Sequence, residues 1–378
     1  MPKRRTIVAD LRLDTHFGRK AMLGIARHLN ALPGYLLHPT QDYVPPASRS
    51  PGMSIDGVII QGPPPARLLR WGIPIIRVTG LPGDQAGEAV LLDNHAIGRM
   101  GAEHLLSLGF RNFGWCGLAN PAGLAREEGF RELIERAGHR LSAFHGQPQA
   151  TSPHEFSRRE APLIHWLTDL PKPAAIMTYM DTTAYALMLI CHQQEISVPG
   201  EVALLGVDND ELPCLASDPP LSSIDPNAEL LGRRAAEMLV QCIEGESAPG
   251  REPLKIPPRR IVPRGSTDVL AIEDAQVYAG IEFMRSYFRE PISVADALRR
   301  ISLSRRAFEV RFRKAVGRTP GAELRRLRLQ RARQLLTETN FPMEKVAAEC
   351  GFANVTRLDE AFRRTVGTTP SRYRRSQR

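Results

Sequence analysis

The chain has 378 residues, 42% of them hydrophobic and 24% charged, which suits two or three globular domains and excludes a disordered polymer. No apolar run approaches the roughly 20 residues that span a bilayer, and Asp10, Arg12 and Asp14 interrupt the apolar core that an export signal needs, so a cytoplasmic protein with no membrane partner is expected. The net charge of +9 is unevenly shared: residues 270–378 hold 23 Lys/Arg against 12 Asp/Glu, net +11, while residues 1–269 hold 27 against 29, net −2, so the tail calls for a polyanion.

From the N-terminus, short β-branched or apolar runs predict strands at Thr6 to Ala9, Gly57 to Ile60, Ile75 to Val78, Phe113 to Cys116, Ala174 to Thr178 and Val202 to Gly206. Amphipathic helices alternate with them at Arg19 to Leu29, Ala96 to Leu108, Ala125 to Ala137 and Thr182 to Gln193. That alternation implies parallel sheets flanked by helices. Ligands of such sheets bind beyond the carboxyl ends of the strands. The residues to search are therefore Asp14, His16, Phe17, Asp93, Arg126, Tyr179 to Asp181 and Asp208 to Asp210. The cysteines at 116, 191, 214, 242 and 350 are scattered and never spaced Cys-x-x-Cys, which argues against a disulfide framework and a metal site. Nothing matches a phosphate loop, Gly-x-Ser-x-Gly or His-Glu-x-x-His, so neither an enzyme nor a cofactor is expected.

The tail contains a repeat. Phe312-Arg-Lys-Ala-Val-Gly-Arg-Thr-Pro320 recurs 50 residues later as Phe362-Arg-Arg-Thr-Val-Gly-Thr-Thr-Pro370. Each copy follows an apolar stripe at helical spacing, Val294, Ala297, Leu298, Ile301 in the first and Met343, Val346, Ala347, Cys350 in the second. Ser304 can cap a helix that buries Phe308, Phe312 and Ala315; Asn354 can cap one that buries Leu358, Phe362 and Val366. Gly317 and Gly367 can close these helices. A short helix, a turn and a second helix with a polar outer face make a helix-turn-helix, whose second helix enters the major groove of double-stranded DNA. Between the units, Leu324 to Leu336 reads as one basic helix that separates the two readers.

The outward positions are Arg305, Arg306, Glu309 and Arg313 in the first reader and Val355, Thr356, Arg357, Glu360 and Arg363 in the second. Arg305 or Arg306 suits guanine, Glu309 cytosine N4 and Val355 a thymine methyl; Arg313 and Arg363 suit phosphate.

The run Arg328-Leu329, Ala332, Leu335-Leu336, Val346-Ala347, Gly351-Phe352, Phe362-Arg363, Gly367-Thr-Thr-Pro370 and Tyr373-Arg374 resembles the AraC/XylS family DNA-binding domain over about residues 275–375. Ser302 departs from that pattern, standing where the first turn often has glycine. Over residues 5–267, Leu92-Asp-Asn, Ala102-Glu-His-Leu-Leu, Arg126, Gly129-Phe, Pro173-Ala-Ala-Ile, Asp181, Val198-Pro-Gly-Glu-Val-Ala-Leu-Leu-Gly-Val-Asp208 and Pro220-Leu-Ser-Ser-Ile resemble the effector-binding domain of the LacI/GalR family.

That second resemblance implies a two-lobed, periplasmic-binding-protein-like α/β sensor whose chain crosses between lobes near Asp93, Asp208 and Ser222. It places Arg126 and Asp208 against sugar hydroxyls, with Asp93 and Asp181 beside them and His16, Phe17 and Trp166 as weaker candidates. Met180 stands where Asn often precedes the Asp, and the usual N-terminal helix-turn-helix is replaced by the C-terminal one. The expected organisation is a sensor at 1–268, a linker at 269–274 and a DNA-binding domain at 275–378. Together the resemblances imply a dimeric regulator of sugar catabolism genes that works with RNA polymerase and answers to a small sugar, a pentose such as D-xylose. Activation is the expected sign; a repressor of the same type, or a regulator answering to an effector other than a pentose, is the alternative.

Overall fold

A computed structural model describes residues 4–41, 55–79, 88–146, 160–246, 252–268, 274–316 and 318–376. It divides into two compact units, Met1–Val269 and Leu270–Arg378.

The first unit opens with β1 (Arg5–Asp10), α1 (His16–Asn30), β2 (Tyr35–Thr40), β3 (Ile55–Gln61), α2 (Ala66–Leu69), β4 (Ile75–Thr79) and β5 (Glu88–Leu92). It continues with α3 (Asn94–Ser107), β6 (Asn112–Gly117), α4 (Pro121–Arg136), β7 (Leu141–His145), α5 (Ala161–Asp169), β8 (Ala174–Thr178), α6 (Asp181–Gln193), β9 (Val202–Val207), α7 (Glu211–Ala216) and β10 (Ser222–Asp225). The last elements are α8 (Ala228–Glu244), β11 (Leu254–Ile256) and β12 (Arg260–Val262).

Two six-stranded sheets result, ordered β11-β5-β4-β3-β1-β2 and β12-β10-β9-β8-β6-β7, each the centre of one lobe. All described pairings are parallel except β10 with β12. The central strands are covered on both faces, which is why Ile7-Val8-Ala9, Val58-Ile59-Ile60 and Val202 to Leu205 are continuous apolar runs. The expected two-lobed α/β class is therefore the observed one.

The crossings differ in part from expectation. The chain leaves the first sheet after β5 at Asp93, returns between β10 and α8, and leaves again between β11 and β12. Asp208 lies between β9 and β10, neighbours in one sheet, so it marks no crossing. Ser222 begins β10, and the crossing comes only after Asp225.

The second unit is helical: α9 (Ala275–Tyr287), α10 (Val294–Leu298), α11 (Arg305–Val316), α12 (Pro320–Glu338), α13 (Met343–Glu349), α14 (Val355–Val366) and α15 (Pro370–Ser376). It holds two small cores. Phe308 and Phe312 of α11 pack with Val277, Ile281 and Met284 of α9 and Ala297 of α10. Leu358 and Phe362 of α14 pack with Val346 and Ala347 of α13. The connecting helix serves both: Leu324 and Leu327 enter the first core, and Leu329, Ala332, Leu335 and Leu336 the second.

Caps set the ends of these helices. Ser304 Oγ accepts from Ala307 N–H at 3.3 Å and Asn354 Oδ1 from Arg357 N–H at 2.9 Å. Gly367 closes α14 at φ +79°, a left-handed conformation suited to glycine. Ser302 takes its turn with its N–H donated to Gln276 Oε1 at 2.6 Å, a side-chain anchor where glycine is usual. Gly317 and linker residues 269–273 lie outside the described residues.

Candidate effector cleft and nucleic-acid interface

The cleft site is assembled from the ends of strands and the starts of helices. Asn120 caps α4 by accepting from Gly123 N–H at 2.8 Å, and Arg126 follows on the buried side of that helix. Helices α3 and α4 touch backbone to backbone there: a Cβ on Gly98 would stand 1.9 Å from the Arg126 carbonyl oxygen, so only glycine permits the approach. Arg126 is 5% exposed. Its Nε donates to Asn94 Oδ1 at 2.8 Å, Nη1 donates to the Tyr179 carbonyl, and the guanidinium lies 5.0 Å from the centre of the Tyr179 ring.

Asp208 follows β9, half-buried, with φ +107°. Burial pushes its carboxyl up to about 6; the Arg126 charge pulls the other way and Asp210 adds to the rise. No hydrogen bond to this carboxylate is found among the described residues. A desolvated acceptor beside a cation suits a neutral, hydroxyl-rich molecule, whose O–H groups satisfy the carboxylate while the guanidinium meets hydroxyl oxygens.

Two further candidates join this group. His16, the first residue of α1, reaches from the first lobe to Asp210 of the second, Nδ1 to Oδ1 3.4 Å. Burial holds the His16 ring below its usual range, outweighing Asp210, and Lys20 and Arg19 lower it further. Asp181 opens α6 and is 1% exposed. Burial and the nearby Asp208 raise its carboxyl well above the usual range. Its oxygens accept from Ser223 Oγ at 2.5 Å and from Asp210 N–H at 2.7 Å.

The remaining candidates have other occupations. Asp93 caps α3, accepting from Ala96 N–H at 2.9 Å. Phe17 packs on the first-lobe core around Ile7 and Ile25. Trp166 donates to Ser142 Oγ at 2.8 Å, stacks 5.8 Å from Phe144 and belongs to the second-lobe core, so it does not join the cleft group. Sequence reasoning missed Asn94, Ser223 and Arg264. Asn94 was within reach as the residue after the crossing at Asp93; Arg264, whose Nη2 donates to Asn209 Oδ1 at 2.7 Å, carries no sequence signal. Among the described residues no group of His, Cys, Asp or Glu is arranged to hold a metal.

In the second unit, α11 and α14 turn their polar faces outward. Arg305, Arg306 and Arg313 are exposed and Glu309 half-buried; Thr356, Arg357, Glu360 and Arg363 are exposed. Val355 is half-buried and packs on the second core, which limits its reach toward a base. Several arginines are neutralised within their own helix: Arg305 by Glu309 at 3.0 Å, Arg357 by Glu360 at 3.1 Å and Arg363 by Asp359 at 2.8 Å. Such exposed pairs are weak and exchange readily for phosphate or base acceptors. Val310, 62% exposed between Arg306 and Arg313, was not singled out by the sequence.

One side chain ties the connecting helix to the first reader. Arg328 of α12 donates to the carbonyls of Phe288, Glu290 and Ile292 at 3.0, 2.8 and 3.0 Å. Gly351, at φ +70°, passes so close to the same corner that a Cβ would stand 2.1 Å from the Phe288 oxygen. Among the described residues no helix is long and apolar enough to cross a membrane.

Comparison with known proteins accords with both halves. Residues 102–267 match the periplasmic binding protein-like domain, and residues 298–376 match a helix-turn-helix domain. The chain is 29% identical over 289 residues to the xylose operon regulatory protein of Escherichia coli (strain K12), covering 75% of this chain and 73% of that one. It is 28% identical over 335 residues to the protein of the same name from Haemophilus influenzae, covering 85% of each. A solved structure of the xylose-binding transcription activator xylR superposes with a TM-score of 0.80 at 24% identity, over 99% of both chains, and so shares the fold.

Proposed function

We propose that this chain, a periplasmic-binding-protein-like domain joined to a C-terminal helix-turn-helix domain, is a transcription regulator that binds specific DNA and is controlled by a small sugar, a pentose such as D-xylose. The observation that carries the reading is the pairing, in one chain, of an Asp208 carboxylate that faces the Arg126 charge and accepts no hydrogen bond among the described residues with two outward-facing recognition helices. Asp208 and Arg126 meet the sugar hydroxyls from the second lobe, and His16 approaches from the first. Asp93 acts as a cap at the crossing, and Phe17 as support for the first-lobe wall. The working division is sensor 1–268, linker 269–274 and DNA reader 275–378.

The sugar acts by binding one closure of the lobes more tightly than the other, since only differential affinity shifts the equilibrium. In the cytoplasm a homodimer built on the sensor then presents its readers to promoter DNA and to RNA polymerase, activating sugar catabolism genes. No step of this function requires a catalytic residue. The similarity to xylose operon regulatory proteins supports the choice of effector.

The test is a promoter reporter together with DNA binding by the purified chain, each with and without D-xylose. Sugar-dependent gain of transcription is the expected result. Sugar-dependent loss would make the protein a repressor of the same architecture. DNA binding indifferent to every pentose and hexose would remove the sugar from the account.

A further inference from the structure

Three successive backbone N–H groups in the turn after β9 are each anchored. Asp208 N–H donates to the Ile224 carbonyl at 3.0 Å, Asn209 N–H to Ser223 Oγ at 2.9 Å and Asp210 N–H to Asp181 Oδ2 at 2.7 Å. The turn needs such anchoring, because Asp208 and Asn209 hold φ of +107° and +50°, a region that residues with side chains disfavour. Ser223 is in turn fixed by donating its hydroxyl to Asp181 Oδ1 at 2.5 Å. Two of the three anchors therefore end on one carboxylate. A Cβ at Gly206 would stand 2.1 Å from Asp181 Oδ1, so the carboxylate lies flat against the β9 backbone where no larger residue fits.

Asp181 is the fully buried member of the cleft group, and both of its oxygens are engaged by protein donors. A buried carboxylate is costly unless its hydrogen bonds are satisfied; of the donors here the Asp210 N–H belongs to the turn that carries Asp208, Ser223 Oγ of β10 holds that turn's Asn209, and the Cys214 thiol of α7 adds a third. We infer that Asp181 is a positioning residue: it fixes the backbone turn that presents Asp208 to the effector and acts on the effector through Asp208, without touching it. This rests on the sugar-binding reading of the cleft.

The test uses the full chain and two shape-preserving variants. In Asp181→Asn the side-chain oxygen can serve either Ser223 Oγ or the Asp210 N–H, while the amide group faces the other of these donors and loses it. Hydrogen exchange without sugar is measured first. Asp181→Asn is expected to speed exchange at the amides of 208–210 by about 10-fold or more with β6 and the helical unit unchanged. Unchanged exchange at 208–210 would overturn the inference.

D-Xylose affinity is then measured in a double-mutant cycle with Asp208→Asn. Asp181→Asn should weaken binding about 10-fold in the wild-type background and less than about 2-fold beside Asp208→Asn, because both act on one contact. An equal loss in both backgrounds would overturn it. If Asp181→Asn does not fold, Ser223→Ala removes the Asn209 anchor and is held to the same expectations. If the wild type takes up no D-xylose while exchange still rises, the sugar reading fails and the positioning of the turn by Asp181 stands.

Discussion

The two units encode their working surfaces in different ways. In the helical unit each recognition helix is specified within about a dozen consecutive residues: a capping Ser304 or Asn354, two aromatic or aliphatic residues one turn apart, and polar residues on the opposite face. In the α/β unit the cleft group draws Asn94, Arg126, Tyr179, Asp181, Asp208 and Arg264 from segments far apart in the chain, joined only when the second sheet forms. A local code can be read by periodicity. A code assembled by topology can be read only through the strands that bring its parts together.

This difference makes the units separable by mutation. Phe362→Ala should have the largest effect, about 3–5 kcal/mol lost from a core with few members, which removes DNA binding while D-xylose binding persists. Differential scanning calorimetry and sugar titration of the same sample check both halves of that expectation, and simultaneous loss of sugar binding would break the comparison.

Asp208→Asn probes the other unit with the opposite sign. The folded-state value of about 6 lies above the ordinary 3.8, so the folded protein holds this proton more tightly than the unfolded chain. Ionisation therefore lowers stability as pH rises from about 4 to 6, and the penalty is fully present above that window. The variant escapes it and should be more stable at pH 7.5 by up to about 3 kcal/mol, even as it loses sugar affinity. Equal melting temperatures for the two proteins across pH 4 to 8 would contradict this.

Smaller changes refine the picture. Arg306→Ala should cost about 1–3 kcal/mol of specific DNA binding and relax preference at one base pair if it reads a base; uniform loss over all sequences in a binding-site selection would assign it to phosphate. His16→Ala should have the smallest effect, about 0.5–1 kcal/mol, read as a shift in lobe closure by small-angle scattering with little change in melting temperature.

The legibility of the sequence follows the same divide. The six strands expected from apolar runs are all present, because the central strands of a doubly covered sheet bury nearly every residue. The edge strands β2, β7, β11 and β12 escaped notice because they are short or half-exposed, and the interior strands β5 and β10, of five and four residues, escaped with them. Trp166 illustrates the limit of residue type as evidence: an aromatic suited to a sugar face is spent instead on Phe144 and the second-lobe core. Asp181 illustrates another limit, since a carboxylate that binds a ligand and one that binds a turn look alike in sequence. The connecting helix was legible from its leucines. Its lock was not, because Arg328 spends its donors on the carbonyls of Phe288, Glu290 and Ile292, contacts some 40 residues away that leave no periodic trace.

The central claim is that one chain couples a sugar cleft at Asp208 to a DNA-reading unit. Isothermal calorimetry of the full-length protein against D-xylose, on the wild type and Asp208→Ala side by side, tests it most directly. Saturable binding by the wild type, weakened about 100-fold or more in the variant, is the result this account requires. Binding that survives unchanged in Asp208→Ala, or a folded wild type that takes up no D-xylose, would contradict it.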